Sequence, residues 1–150
     1  MSHDYLHKVT RLIADYCRDN DIPVVVIGDI RNIRKGKNLG HMANQKLHSL
    51  PYSRIYTMLS YKLELYGIRM IRQKEAYTSQ CSPFTPGVGK EYAAKKNRVT
   101  RGLYKDGNDV FNADAVGAYN ILRKYLVENE KEITLPINGI ADPVVIKAAV

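Results

Sequence analysis

Three carboxylates stand where a chain can put them to chemical use: Asp29, Glu75 and Asp114. Asp29 closes the apolar run Val24-Val25-Val26-Ile27-Gly28. Glu75 follows Ile68-Arg69-Met70-Ile71-Arg72-Gln73-Lys74, and Asp114 lies at the start of a helical stretch. A carboxylate at the end of a buried strand is a common place for a site in α/β folds. If the two runs are neighbouring parallel strands, their ends lie about 5 Å apart, and Asp29 and Glu75 face a common point. Asp114, on a helix crossing that edge, would complete an oxygen-rich set suited to Mg2+ or Mn2+. Such ions activate water and stabilise the leaving oxygen in phosphodiester cleavage. The spacing also admits a plainer account, with Asp114 as a first-turn helix charge and the other two as surface charge.

The elements that must position these acids follow from pattern. Tyr5 to Asn20 carries Leu6, Val9, Leu12, Ile13, Tyr16 and Cys17 on one stripe, which predicts an amphipathic helix. Val24 to Ile27, four β-branched residues without alternation, predict a strand buried on both faces. A second helix is expected from about Asn44 to Tyr66 with a break at Pro51, and Gly67 is a natural C-cap. A more polar strand, Ile68 to Lys74, comes next. Cys81 to Asn108, rich in Pro and Gly, reads as irregular. A third helix is expected over Asn112 to Val127, with Asn112 as its N-cap. The order is helix, strand, helix, strand, and the fold class is α/β with parallel strands and packed helices.

The chain has 150 residues, 45% of them hydrophobic and 25% charged, an ordinary globular composition. No run approaches the length of a membrane span, and the charged first twenty residues do not resemble a signal peptide. Two cysteines, Cys17 and Cys81, are too few for a secreted disulfide framework, so a reducing, cytoplasmic setting is expected. The net charge of +8 is uneven. Arg31 to Lys105 holds sixteen basic residues and three acidic ones, a local +13, and the flanks carry −5. A basic middle between acidic ends suits a polyanion, most often nucleic acid. The candidate contacts are Arg31, Arg34, Lys35 and Lys37, in a loop without aromatics and hence suited to phosphates, and Lys95, Lys96, Arg98 and Arg101. Tyr92 and Tyr104 are interleaved with the second group, where they would stack on bases or pack against the domain.

Several motifs stand in order along the chain: Val25-Val26-Ile27-Gly28-Asp29-Ile30-Arg31-Asn32-Ile33-Arg34, Asn44-Gln45-Lys46-Leu47-His48, Tyr61-Lys62-Leu63-Glu64-Leu65-Tyr66-Gly67-Ile68, Glu75-Ala76-Tyr77-Thr78-Ser79-Gln80, Arg101-Gly102-Leu103-Tyr104, and Asn112-Ala113-Asp114 through Leu122. The set resembles the C-terminal half of the TnpB/OrfB family of transposon-encoded proteins, over about residues 4 to 126. The resemblance implies a partial RNase H-like, RuvC-type fold over 1–128, with the basic segment 82–108 in place of a zinc ribbon and 129–150 as a tail. It implies RNA-guided DNA endonuclease activity for full-length members, with Mg2+ or Mn2+, and DNA and a guide RNA as partners. By the same resemblance Asp114 matches the last catalytic acid. Gly28 stands where a Glu is usual, so Glu75 is the expected substitute and Asp29 a supporting acid. Glu75 and Asp114 are then the metal ligands.

Two departures from the family pattern matter. Cys81 is the lone thiol of the ribbon region, and one thiol does not hold structural zinc. No zinc is therefore expected, and His41 and His48 are read as ordinary polar residues. The family's first catalytic Asp lies on an upstream strand, with the region that holds guide RNA. Little or no cleavage is thus expected of this chain alone, unless a separately encoded N-terminal piece or a second copy supplies the rest. The other readings of the sequence are a non-catalytic DNA- or RNA-binding module and a decayed transposase fragment.

Overall fold

The computed structural model describes residues 3–29, 52–131 and 135. The described elements are α1 (His3–Asp19), β1 (Val24–Asp29), α2 (Tyr52–Leu65), β2 (Arg69–Lys74), β3 (Arg98–Thr100), β4 (Leu103–Asp106), β5 (Asp109–Asn112) and α3 (Ala113–Glu128), with short 3-10 turns at Lys90–Tyr92 and Lys95–Asn97. The α/β class expected from the pattern is the class found. Among the described residues no helix is long and apolar enough to cross a membrane.

Contacts divide the described chain into two units, one of residues 3–25 and 52–71, the other of 26–29, 72–131 and 135. In the first, α1 and α2 pack together. The buried positions on α1 are Leu6, Thr10, Ala14 and Cys17, whereas Ile13 and Tyr16 of the expected stripe are exposed. The buried face thus includes the small side chains Thr10 and Ala14. The Thr10 hydroxyl is satisfied, donating to the Leu6 carbonyl at 2.8 Å and accepting from Lys62 Nζ at 2.7 Å. On α2 the buried residues are Tyr56, Met58, Leu59 and Leu63. The helix begins directly after Pro51 and ends at Leu65, and Gly67 beyond it has a φ of 72°, the left-handed conformation expected of a C-cap glycine. Gly67 N–H bonds the Glu64 carbonyl and Ile68 N–H bonds that of Leu63, both at 2.9 Å, so the last carbonyls of the helix are satisfied. Residues 44–51 of the expected second helix lie outside the described residues.

β1 and β2 form a two-stranded sheet. At their starts Arg69 N–H donates to the Pro23 carbonyl at 3.2 Å, and at their ends Gly28 lies against Glu75. Joined start to start and end to end, they run in the same direction. β1 is intermediate in burial along its whole length rather than fully buried.

In the second unit, β3, β4 and β5 make an antiparallel sheet in that order. The stretch read as irregular therefore ends in a regular hairpin. β4 and β5 pair Leu103 with Asn112 through Asp106 with Asp109, leaving Gly107-Asn108 as a two-residue turn, with Gly107 at a φ of 60°. Tyr104 and Phe111 pair on one face and, with Ala113 and Val116 of α3, form a buried cluster. Asn112 caps α3 as expected, its side chain accepting from Ala115 N–H at 3.0 Å.

Candidate functional site

Glu75, Asp29 and Asp114 all belong to the second unit. β1 delivers Gly28 and Asp29 at its C-terminal end, and Glu75 follows the last residue of β2. A Cβ on residue 28 would fall inside contact distance of Glu75 Oε2, 3.2 Å from Ile121 Cδ1 and 3.3 Å from Glu75 Cδ. The Glu75 carboxylate thus fills the space that a side chain at position 28 would need.

Glu75 and Asp114 line one depression of about 320 Å3, together with Thr78, Ser79, Arg98, Ala113, Gly117, Ala118 and Ile121. Gly117 and Ala118 contribute little bulk to this lining. The two acids have different surroundings. Glu75 is half-buried, and burial pushes its carboxyl above the usual range, with the charge of Asp29 adding to the rise. The Asp114 side chain is 88% exposed, in the first turn of α3, with Arg98 Nη2 at 3.8 Å from its Oδ1. Arg98 also donates to the Arg101 carbonyl at 2.9 Å, which ties the guanidinium to the rim.

The hollow therefore offers hard carboxylate oxygens, a half-withdrawn glutamate already opposed by a neighbouring acid, and one guanidinium. This donor set fits a divalent cation such as Mg2+ or Mn2+, which neutralises paired carboxylates and uses one or two of them alongside phosphate oxygens. Among the described residues no three His, Cys, Asp or Glu side chains gather closely enough to cage an ion.

The expected nucleic-acid contacts divide. Lys95 and Lys96 are exposed in the 3-10 turn at Lys95–Asn97, Arg101 is exposed, and Arg98 is partly covered beside Asp114. Arg31, Arg34, Lys35 and Lys37, like His41 and His48, lie outside the described residues. Tyr104 does not present its ring to a base: it is fully buried and its hydroxyl donates to the Gln80 carbonyl at 3.1 Å.

Two polar residues on α3 were not singled out by sequence reasoning. Asn120 is fully buried and Arg123 is half-buried, and both bond the loop after Glu75. Their signal was a polar residue, Asn120, one turn after Val116 on the face that meets the core.

Residues 52–121 match the family model for the Cas12f1-like TNB domain. The match spans 70 of the 150 residues. The match is in line with the TnpB/OrfB resemblance of the motifs. A solved structure, the cryo-EM structure of the Cas12f1-sgRNA-target DNA complex, has a similar fold, with a TM-score of 0.56 and 20% sequence identity. The similarity covers 79% of this chain and 32% of that one, so the chain spans about a third of that relative. No curated protein matches significantly.

Proposed function

We propose that this chain is the C-terminal part of a TnpB-like, RNA-guided DNA endonuclease. In this reading Glu75 and Asp114 are metal-holding catalytic acids and Asp29 supports Glu75. The observation that carries the reading is the position of Glu75: its carboxylate occupies the space left by Gly28 and shares a hollow with Asp114 and Arg98. A divalent ion, when bound, would supply Lewis-acid chemistry on a phosphodiester. The chain's own residues have distinct tasks. Glu75 and Asp114 offer the oxygens, and Arg98, close to Asp114, meets the phosphate that approaches the acids. Lys95, Lys96 and Arg101, with Arg31, Arg34, Lys35 and Lys37, hold the nucleic-acid backbone. The partners are DNA and a guide RNA, consistent with the sgRNA and target DNA of the similar structure. No zinc is assigned to the segment 82–108, which contains no cysteine and is preceded by the single thiol Cys81.

On this reading, two acids lining one hollow and one supporting acid form an incomplete set for two-ion hydrolysis. The purified chain is therefore expected to bind nucleic acid without cutting it. The test combines gel shifts across salt with a nuclease assay in Mg2+ or Mn2+. Binding that weakens steeply with salt, without cleavage, is the expected outcome. Mn2+ binding should fall in Glu75→Gln and Asp114→Asn. Cleavage by the chain alone, abolished in Glu75→Ala and Asp114→Ala, would show that the set is complete and the inactivity wrong. Mn2+ binding indifferent to both changes would leave the binding-module reading.

A further inference from the structure

The loop that follows Glu75 is held by side chains in an unusual conformation. Tyr77 has a φ of 64°, a region that L side chains disfavour. Thr78 folds back, its N–H and its hydroxyl both donating to the Glu75 carbonyl, at 3.1 and 2.7 Å. Strained backbone of this kind persists where surrounding contacts over-determine it.

Those contacts come from α3, the helix that carries Asp114. The Asn120 amide nitrogen donates to the carbonyls of Thr78 and Cys81, each at 2.8 Å. The Asn120 oxygen accepts from Arg123 Nε at 3.1 Å and Nη2 at 2.9 Å. The same guanidinium reaches the Thr85 carbonyl at 2.5 Å, the Ser82 carbonyl at 3.0 Å and the Thr85 hydroxyl at 3.2 Å. Two adjacent turns of one helix thus bond four residues of the loop. On its other side the loop is fastened to the sheet: Ser82 Oγ bonds Asp106 at 2.5 Å, and the Phe84 and Phe111 rings lie 5.6 Å apart. The loop contains one thiol, Cys81, so a thiolate cross-link within it is unavailable and amide and guanidinium forks do that work.

We infer that Asn120 and Arg123 are positioning residues, a metal-free clamp that fixes the loop behind Glu75 against the helix that bears Asp114. The inference rests on the reading of those two acids as the site, and it assigns the spacing between them to side chains that touch neither.

The test uses the whole chain with Arg123→Lys, which keeps the charge but cannot span the same acceptors, and Asn120→Asp, which keeps the shape but turns an acceptor toward two carbonyls. Hydrogen exchange is read at the amides of Thr78, Gln80, Cys81 and Thr85, with the β4–β5 hairpin amides as internal reference. The expected result is exchange about tenfold faster in the loop at unchanged hairpin rates, together with weaker Mn2+ binding. Loop exchange that is unchanged, or that rises equally in the hairpin, overturns the clamp. So does faster loop exchange when EDTA is added to the parent chain, because a bound metal would then be holding the loop. Should Arg123→Lys not fold, Thr85→Val removes one acceptor at the rim and gives the same comparison. Mn2+ binding by the parent that ignores Glu75→Gln sinks the acid-site reading, whereas the exchange result decides the clamp separately.

Discussion

The carboxylate of Glu75 stands in the space that a side chain on residue 28 would occupy, so Gly28 and Glu75 fit together as an empty position and the group that fills it. The strand end therefore tolerates a large acid at 75 only because 28 contributes no Cβ. Gly28→Ala should push the glutamate aside at a cost of about 1–3 kcal/mol, typical of overpacking, and weaken Mn2+ binding. In a Glu75→Ala background the same change should cost less, with only Ile121 left to give way. A double-mutant cycle by chemical denaturation measures the coupling, and additivity would show that the two positions do not share space.

The raised carboxyl of Glu75 predicts a pH dependence of stability. Its pKa is higher in the folded chain than the ordinary 4.5, chiefly because burial disfavours the charge and secondarily because of Asp29. The folded state then holds its proton more tightly than the unfolded one. Stability from this group is present below the unfolded pKa and is lost as pH rises through the folded value. Glu75→Gln should flatten that part of the profile. Thermal melts from acid to neutral pH, parent against variant, provide the check, and parallel profiles would contradict the assignment.

The exposed cations predict a salt signature. If Lys95, Lys96 and Arg101 each neutralise one phosphate, each alanine substitution should lower the slope of log affinity against log salt by about 0.9 on duplex DNA or about 0.7 on a single strand. Sequence preference should be untouched, because phosphate contacts carry none. Filter binding at a series of salt concentrations reads the slope, and an unchanged slope removes that residue from the interface.

The hairpin turn predicts a local backbone effect. Gly107 sits at a φ of 60° between β4 and β5, with nothing near the place of its missing Cβ. Gly107→Ala should therefore destabilise through conformation alone, by about 1 kcal/mol. Equilibrium denaturation measures this. Gly102, which also has open space but no such φ, is the control that should lose less.

Periodicity made the three long described helices, β1 and β2 legible in the sequence, because each is a contiguous run whose pattern has one reading. Asn112 and Gly67 marked helix ends correctly because their chemistry is local. The hairpin was missed even though its signal was present. Tyr104 and Phe111 alternate with Lys105 and Val110 about Gly107-Asn108, but the surrounding prolines, glycines and lysines masked four-residue strands. The buried face of α1 was misplaced because Thr10 is polar in type. Its hydroxyl is satisfied by the Leu6 carbonyl of its own helix and by Lys62 of the partner helix, which residue type alone does not announce. Of the candidate site, Asp29, Glu75 and Asp114 were found as strand-end and helix-start acids. Asn120 and Arg123 were not, because their acceptors are backbone carbonyls of a distant loop, which no residue type announces.

The unequal exposure of the two acids in the hollow divides its response to the medium. Asp114 faces bulk water, where dissolved ions mute its field within about 10 Å at 0.1 M. Glu75, half withdrawn, is shielded mainly by its own neighbours. Raising ionic strength would thus quieten one wall of the hollow and leave the other almost unaltered.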